Sequence, residues 1–293
     1  MDILAEVRKL THTAHRTAVD CLPRTLRHIA GYHIGWWDAD GAPCDIGGGG
    51  KAIRPALTLA CAALAGGPQA VPDAIPAAVA VELVHDFSLL HDDVMDRDTT
   101  RRGRPAAWTV FGADQALLAG TALLTVAMGQ AGRVSGRAQT VLCDTVLEMC
   151  DGQSMDLQPG PDRGLARRLV VAECKTGALF GAACELGAVA ANSPSSQAAR
   201  CRAFGRDLGT AFQLADDLAD GWPGPQCARD QGRGEARRRV AAALSHLDAA
   251  AAGSAAAEDL RLLASAVLTA SVVGGGFPDA HTHRNPPTAE PTE

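Results

Sequence analysis

The sequence predicts an all-α protein. Hydrophobic residues make up 47% of its 293 residues and aromatic residues only 4%, so the core has to be built from alanine, leucine and valine. Alanine and leucine are strong helix formers. Strict alternation of apolar and polar residues is nearly absent, and no Asn-Gly pair marks a hairpin, so strands are not expected.

Glycine and proline divide the chain into helical stretches. An N-terminal stretch over residues 1–31 is interrupted at Pro23, and a loop follows over residues 32–50. Further helices are predicted, in chain order, over residues 51–65, 73–96, 113–131, 135–157, 164–191, 195–220, 235–251 and 254–273. Gly177 is a candidate break within the fifth of these helices.

One domain and a tail are expected. Residues 1–275 are predicted to form the domain, and residues 276–293, which contain four prolines, are predicted to be a disordered tail. The first residues are amphipathic with mixed charge and do not resemble a signal peptide. Nine cysteines without a CxxC pair are typical of reduced thiols, so a cytoplasmic protein is predicted.

Charge and hydropathy exclude two classes of partner. The formal net charge is −6, which gives no electrostatic basis for binding nucleic acid. No run of 18 uncharged apolar residues is present, so no membrane span is expected. The composition is therefore that of a globular protein with a large core.

A short acidic motif, Asp-Asp-x-x-Asp, occurs twice, each time at the end of an apolar helical segment. On a helix, residues four apart share a face, so each copy directs three carboxylates toward one region. Their mutual repulsion is relieved when a cation lies between them. The candidate metal ligands are Asp92, Asp93 and Asp96 in the first copy, and Asp216, Asp217 and Asp220 in the second.

Carboxylate oxygens are the ligands that Mg²⁺ prefers, and Mg²⁺ commonly bridges carboxylates to a substrate phosphate. Two such helices facing each other would hold a diphosphate through magnesium. The alternative is a pair of exposed acidic helix ends, which a single copy of the motif would not exclude. Two copies on apolar helices favour the magnesium site.

Basic residues stand where an anion would be needed. Lys51 and Arg54 fall in the first turn of a helix after a glycine run, where backbone N–H groups also favour an anion. A cluster of arginines at 101, 102 and 104 follows the first acidic motif and could bind a diphosphate through paired hydrogen bonds. His85 lies seven residues before Asp92, on the same helical face. A solvated helix start, a solvated charge run and a core histidine are the respective alternatives.

With these motifs together, the chain resembles the trans-isoprenyl diphosphate synthases, or polyprenyl synthetases. The resemblance covers about residues 45–220, and its most specific parts are the two aspartate-rich motifs. The matching stretches are residues 49–55, 85–105, 152–157, 175–177 and 212–220. The resemblance implies an isoprenoid-synthase-type helical bundle around a central cavity, in a homodimer.

The resemblance also implies a role for each matching residue. The six aspartates would bind Mg²⁺, with Asp92, Asp96 and Asp216 the leading ligands. Thr176 and Gln213 would lie beside the reacting carbons. The residues implied to bind the allylic diphosphate are Arg101 and Lys175, and those implied to bind isopentenyl diphosphate are Lys51, Arg54, His85 and Arg102.

Product length is implied by the residue five positions before the first aspartate, which in this family helps to set the cavity floor. That residue is Phe87, a bulky side chain, and its neighbour Ser88 is small. The combination favours a C20 product, with C15 or C10 still open. The expected reaction is condensation of isopentenyl diphosphate with an allylic diphosphate to a C15–C20 product.

The chain departs from the family after the second acidic motif. Only 73 residues follow Asp220, and a Gly-Lys segment whose lysine contacts the allylic diphosphate is missing there. Two alternatives therefore stay open beside an active synthase. One is a non-catalytic subunit or degenerate paralogue that binds an active synthase, and the other is a terpene cyclase on the same fold.

Overall fold

The structure, a computed structural model, describes residues 3–44, 52–158, 164–222, 225–248 and 254–273. Twelve α-helices are present in these residues. They are α1 (Ile3–Asp20), α2 (Arg24–Ile34), α3 (Ile53–Gly66), α4 (Val71–Met95), α5 (Ala107–Phe111), α6 (Ala113–Val134), α7 (Gly136–Leu157), α8 (Leu165–Ala172), α9 (Ala178–Ala190), α10 (Ser195–Ala219), α11 (Gln226–Asp248) and α12 (Ala255–Val273).

Three short elements complete the architecture. A 3₁₀ turn, Pro68–Ala70, joins α3 to α4, and a π-helical turn, Glu173–Gly177, joins α8 to α9. Strands β1 (Thr100–Arg101) and β2 (Arg104–Pro105) form a small antiparallel hairpin after α4. The all-α prediction is therefore confirmed, and the hairpin is the only sheet in the described parts of the chain.

Helix ends follow the local sequence. Pro23 precedes α2, and Gly35 ends it with a φ of +95°, a left-handed conformation that glycine adopts without strain. Gly67 ends α3 with a φ of +82°. The hydroxyl of Ser135 accepts a hydrogen bond from the backbone N–H of Ala138 at 3.0 Å and so caps the start of α7.

Small residues let the central helices approach one another closely. A Cβ atom added to Gly187 of α9 would lie 2.0 Å from the carbonyl oxygen of Thr58 in α3. One added to Gly205 of α10 would lie 2.3 Å from the carbonyl oxygen of Phe180 in α9. The helices α3, α4, α9 and α10 thereby form a dense core of alanine, leucine and valine.

The loop after α2 is fastened by its two tryptophans. The indole N–H of Trp37 donates a hydrogen bond to the carbonyl oxygen of His28 at 2.7 Å. The guanidinium of Arg16 lies over both indoles, 4.7 Å from the ring centre of Trp36 and 4.5 Å from that of Trp37. Both tryptophans pack against the edge of the core.

The predicted helices agree with the structure in order and differ in detail. The stretch predicted as one helix over 164–191 is α8, the π-helical turn and α9. Helix α11 begins at Gln226, nine residues before the predicted start. Helix α5 was not predicted. Lys51 and the predicted tail, residues 276–293, lie outside the described residues.

Two stretches of the described chain, Pro68–Met95 and Ala113–Val134, are long and apolar enough to cross a membrane by length and composition. In the first, 67% of the most apolar 18-residue stretch is buried inside the fold, as expected for a core helix. In the second, which is α6, only 28% is buried. Within the described parts of the chain, the apolar stretch of α6 is therefore less covered than that of α4.

Candidate active site

The first acidic motif lies at the end of α4. Asp92 and Asp93 are in the last helical turn, and Asp96 is the residue that ends the helix. Burial raises the pKa of Asp92 to about 6; Lys175 opposes this shift and the Asp96 carboxylate adds to it. A carboxylate in this position gains stability from an added positive charge.

Asp93 is held by the hairpin that follows α4. Arg101 donates from Nε to Oδ1 of Asp93 at 2.8 Å, and its Nη2 contacts the same oxygen. Arg101 also lies 3.6 Å from a carboxylate oxygen of Asp98. Burial raises the pKa of Asp93, and the hydrogen bond from Arg101 opposes that shift. The hairpin thus fixes Arg101 directly beside the first motif.

The second acidic motif lies at the end of α10. Asp216 is buried, Asp217 is half-buried, and Asp220 is exposed and ends the helix. Gln213 donates a hydrogen bond from Nε2 to Oδ1 of Asp217 at 2.9 Å. Thr176 donates from its hydroxyl to Oε1 of Gln213 at 2.7 Å. This chain of hydrogen bonds ties the second motif to the π-helical turn.

The π-helical turn stands between the two motifs. Its Lys175 places Nζ 3.0 Å from Oδ2 of Asp156 in α7 and acts electrostatically on Asp92. Gly152 permits the close approach, since a Cβ there would lie 2.7 Å from that of Cys174. Inserted turns of this kind often mark functional sites. The turn links the carboxylates of α4 to those of α10.

Two of the predicted basic residues, Arg54 and Arg102, lie together beside α4, near Glu82 and Asp86, which lie N-terminal to the first acidic motif. Burial lowers the pKa of Arg54 to about 10; Glu82 and Asp86 oppose the shift, and Arg102 adds to it. The Arg54 guanidinium lies 5.0 Å from the ring centre of Phe180. Arg54 and Arg102 therefore meet beside two buried carboxylates, which limits their mutual repulsion.

Asp86 is the centre of a buried polar cluster that also contains two histidines. Its carboxylate lies 3.7 Å from Nε2 of His15, 3.8 Å from Nε2 of His33 and 3.9 Å from Nη2 of Arg102. A cavity of about 70 Å³ adjoins the cluster, between α1 and α4. Its lining includes His12, His15, Trp36, Glu82 and Asp86.

The remaining predicted residues are on α4. His85 is half-buried, and its carbonyl oxygen accepts a hydrogen bond from the hydroxyl of Ser88 at 2.8 Å. The ring of Phe87 lies 4.7 Å from the imidazole of His91, which interacts with the carbonyl oxygen of Leu117 in α6 at 3.0 Å. Phe87 is thus placed on the side of α4 that packs against α6.

Magnesium fits the donor set at the two motifs. The groups present are hard carboxylate oxygens, and within the first motif their charges destabilise one another. Asp93 and Asp217 are already engaged by Arg101 and by Gln213. In the described parts of the chain, no group of three or more aspartate, glutamate, histidine or cysteine side chains already forms a metal-binding arrangement.

Comparison with known proteins settles the family. A family model described as polyprenyl synthetase matches residues 44–226. The chain belongs to the polyprenyl synthetase family. The predicted family, fold class and enzyme class, a trans-prenyltransferase, are thereby confirmed.

Named relatives and solved structures agree with this assignment. The chain is 43% identical over 269 residues to geranylgeranyl diphosphate synthase of Mycobacterium tuberculosis, covering 88% of this chain and 75% of that protein. It is 40% identical over 232 residues to (2E,6E)-farnesyl diphosphate synthase of Mycobacterium bovis, covering 77% of this chain and 64% of that one. A crystal structure of polyprenyl synthetase from Streptomyces coelicolor A3(2) matches with a TM-score of 0.81 at 31% identity, covering 91% of this chain and 98% of that chain.

Several site residues were missed by the sequence analysis. Asp156, which pairs with Lys175, was noted only as part of a motif, and Asp86 had no assigned role. Arg168 of α8 lies 3.6 Å from Oδ2 of Asp217, yet it is 49 positions away in the sequence. A contact across that separation leaves no periodic pattern, so only the folded structure brings these residues together.

Proposed function

We propose that this polyprenyl synthetase condenses isopentenyl diphosphate with an allylic diphosphate to give a C15–C20 trans-isoprenyl diphosphate, with C20 favoured. The observation that carries the proposal is the π-helical turn, whose Lys175 and Thr176 link the two acidic motifs. The similarity to geranylgeranyl and farnesyl diphosphate synthases supports the same range of products.

The aspartates of the two acidic motifs have different roles in binding the metal. Asp92, Asp96 and Asp216 would hold Mg²⁺ directly, while Asp93 and Asp217 would act through their hydrogen-bonded partners. Asp220, exposed at the end of α10, would have a supporting role in binding the metal. Bound magnesium supplies positive charge to the leaving diphosphate.

The basic residues separate the two substrates. Arg101 and Lys175, beside the first motif, bind the allylic diphosphate as it leaves. Arg54 and Arg102, with Lys51 and His85, bind isopentenyl diphosphate. Two substrates held in fixed orientation react as though at very high local concentration.

The reacting carbons lie beside the hydrogen-bonded pair of Thr176 and Gln213. The oxygens of these side chains stabilise the allylic cation that forms when the C–O bond breaks. The double bond of isopentenyl diphosphate attacks this cation and leaves a new cation on the isopentenyl unit. The released diphosphate then accepts the proton lost from the adjacent carbon C2, which forms the new double bond. Apolar walls of alanine and leucine exclude water that would otherwise quench the cation.

The protein is proposed to act as a homodimer in the cytoplasm. Only 28% of the apolar stretch of helix α6 is buried within the described chain, and Leu118 on it is 53% exposed. A second copy covering α6 would remove this surface from water. The same surface would otherwise promote aggregation.

A non-catalytic role is the second candidate, and one observation favours it. Helix α11 begins only six residues after Asp220, so the family's lysine-bearing segment has no counterpart. A cyclase is less well supported, since it needs no isopentenyl diphosphate site and Arg54 and Arg102 are both present.

Product analysis tests the proposal directly. The purified protein is incubated with Mg²⁺, labelled isopentenyl diphosphate and each of the C5, C10 and C15 allylic diphosphates, and the dephosphorylated products are sized. One dominant C20 or C15 product is expected. No incorporation from any primer, in a folded sample, would overturn the synthase and favour the non-catalytic subunit.

A substitution in the first motif separates metal-dependent turnover from contaminating activity. Asp92→Asn should lower turnover at least a thousandfold, because a direct metal ligand is lost. Asp144→Asn, the same change at an exposed position on α7, is the matched control and should retain wild-type turnover. Equal activity in the two variants would remove Asp92 from the metal site.

A further inference from the structure

Arg168 on α8 is directed at the second acidic motif. Its Nη1 lies 3.6 Å from Oδ2 of Asp217, and both side chains are largely buried, at 19% and 26% exposure. Asp217 is the aspartate that Gln213 also binds, and Gln213 accepts from Thr176. Arg168 therefore belongs to the same connected set of side chains as the residues at the reacting carbons.

Trp222 fixes the direction of Arg168. The guanidinium lies 4.6 Å from the ring centre of Trp222, a distance at which a cation and an aromatic face attract. Trp222 itself is only 5% exposed and packs with Leu214 and Ala236 in a small apolar cluster. Since Trp222 follows Asp220 by two residues, the shortened connection itself supplies the surface on which Arg168 rests.

The two acidic motifs share one feature of their ion pairing. The second aspartate of each motif, Asp93 and Asp217, pairs with an arginine from another element, Arg101 and Arg168. Arg101 was assigned to the allylic diphosphate. Two arginines in equivalent positions would flank a diphosphate held between the motifs and neutralise charge on both sides.

We infer that Arg168, oriented by Asp217 and Trp222, is a second diphosphate-binding arginine and replaces the lysine of the missing segment. The identity of the ligand rests on the proposed function, whereas the geometry does not. The arginines on α11 are less suited, because Arg229 donates to Gln226 and Arg233 to Asp230 within their own helix. Arg168 is already aimed at the motif.

Binding of a diphosphate without turnover tests the inference. Affinity for inorganic diphosphate in the presence of Mg²⁺ is measured by titration calorimetry for the wild type, Arg168→Gln, Arg168→Lys and Trp222→Leu. Arg168→Gln should weaken binding about tenfold or more, the loss expected for a hydrogen bond to a charged group. Arg168→Lys should recover part of this loss, because it keeps the charge without the planar group.

Trp222→Leu tests the orientation and should weaken binding roughly two- to fivefold, since the charge remains but its support is lost. Arg238→Gln is the matched control: Arg238 is an exposed arginine on α11 that pairs with Glu235, and its variant should bind as the wild type does. Unchanged affinity in a folded Arg168→Gln variant would overturn the inference.

The same variants separate this inference from the proposed function. If the wild type makes no product but binds diphosphate in an Arg168-dependent manner, the binding role of Arg168 is supported and the proposed synthase activity is contradicted. If the wild type makes product and Arg168→Gln leaves both the KM for the allylic substrate and the diphosphate affinity unchanged, the binding role of Arg168 is contradicted and the synthase activity is supported.

Discussion

Arg239 on α11 donates a hydrogen bond to the carboxylate of Glu173, the first residue of the π-helical turn. Arg239 also donates to Asp207 of α10 at 2.9 Å and to Glu235 of its own helix at 3.1 Å. One guanidinium thus joins three elements. The helix that follows the shortened connection therefore supports the turn that carries Lys175, two residues after Glu173.

Removal of Arg239 should reduce the rate more than substrate binding. In Arg239→Ala the π-helical turn loses its link to α11, so Lys175 and Thr176 are less well placed for the reaction. We expect kcat to fall about tenfold, since small misplacements of reacting groups are costly, with the KM for isopentenyl diphosphate changed less than twofold. Steady-state kinetics with both substrates measure the two effects.

Two further variants control this prediction. Arg238→Ala removes the neighbouring arginine, which is 68% exposed and pairs with Glu235, and should leave kcat unchanged. Arg239→Lys should recover part of the lost rate. A parallel loss of kcat in Arg238→Ala and Arg239→Ala would mean that α11 acts only through general stability.

The side chain of Phe87 is expected to limit product length. Phe87→Ala would open space between α4 and α6, so the growing chain could extend further before it meets the floor. Products longer than those of the wild type are expected by chromatography of the dephosphorylated alcohols. Phe111→Ala removes a similar ring in α5, where it packs against Tyr32, and should leave product length unchanged. Identical products from both variants would place the floor elsewhere.

The outer face of α6 is expected to be the dimer interface. Leu118→Arg puts a charge at its exposed apolar surface, and burying an unpaired charge in an interface is strongly unfavourable. Light scattering after size exclusion should give a dimer for the wild type and a monomer for Leu118→Arg. Leu262→Arg, on the exposed side of α12 at 56% exposure, is the control and should stay dimeric. A dimeric Leu118→Arg variant would exclude this face.

The local sequence predicted those helices whose ends are marked by proline or glycine. Pro23 and Gly67 mark helix boundaries because of their backbone conformations, and the spacing within each acidic motif already places three carboxylates on one turn. The start of α11 was missed because Gln226–Gly234 is polar and has no apolar periodicity. This segment is helical because it packs against the end of α10 and the residues after it, where Gly232 lies beside Leu218 and the ring of Trp222.

The sequence identified most residues of the candidate site but did not predict which of them contact one another. Asp92, Lys175 and Gln213 were identified from motifs, but their mutual arrangement depends on the π-helical turn. From the sequence that turn was visible only as a break at Gly177. The Asp86 cluster left no pattern, since His15 and His33 come from helices separated from Asp86 by more than 50 residues.

The Asp86 cluster gives a pH dependence whose sign follows from burial. Burial lowers the pKa of His15 to about 4, and the charges of His12 and Arg102 add to the shift. Between pH 6.5 and 4 the unfolded chain therefore takes up a proton at His15 that the folded chain does not, so the free energy of unfolding falls as pH falls. Asp86 acts in the opposite direction. Burial and the nearby Glu82 raise its pKa, so the folded chain takes up this proton first and the free energy of unfolding rises.

The two contributions oppose each other in the wild type and separate in single variants. Relative to the wild type, His15→Gln should gain ~2 kcal/mol of unfolding free energy when the pH falls from 7 to 4.5, since one pKa unit corresponds to about 1.4 kcal/mol. Asp86→Asn should show a change of the opposite sign. Urea denaturation at the two pH values measures both. His12→Gln, at an exposed position on the same helix, removes only the smaller electrostatic contribution to the pKa of His15 and should give a smaller response. A pH response equal to that of His15→Gln would show that burial of His15 is not the cause.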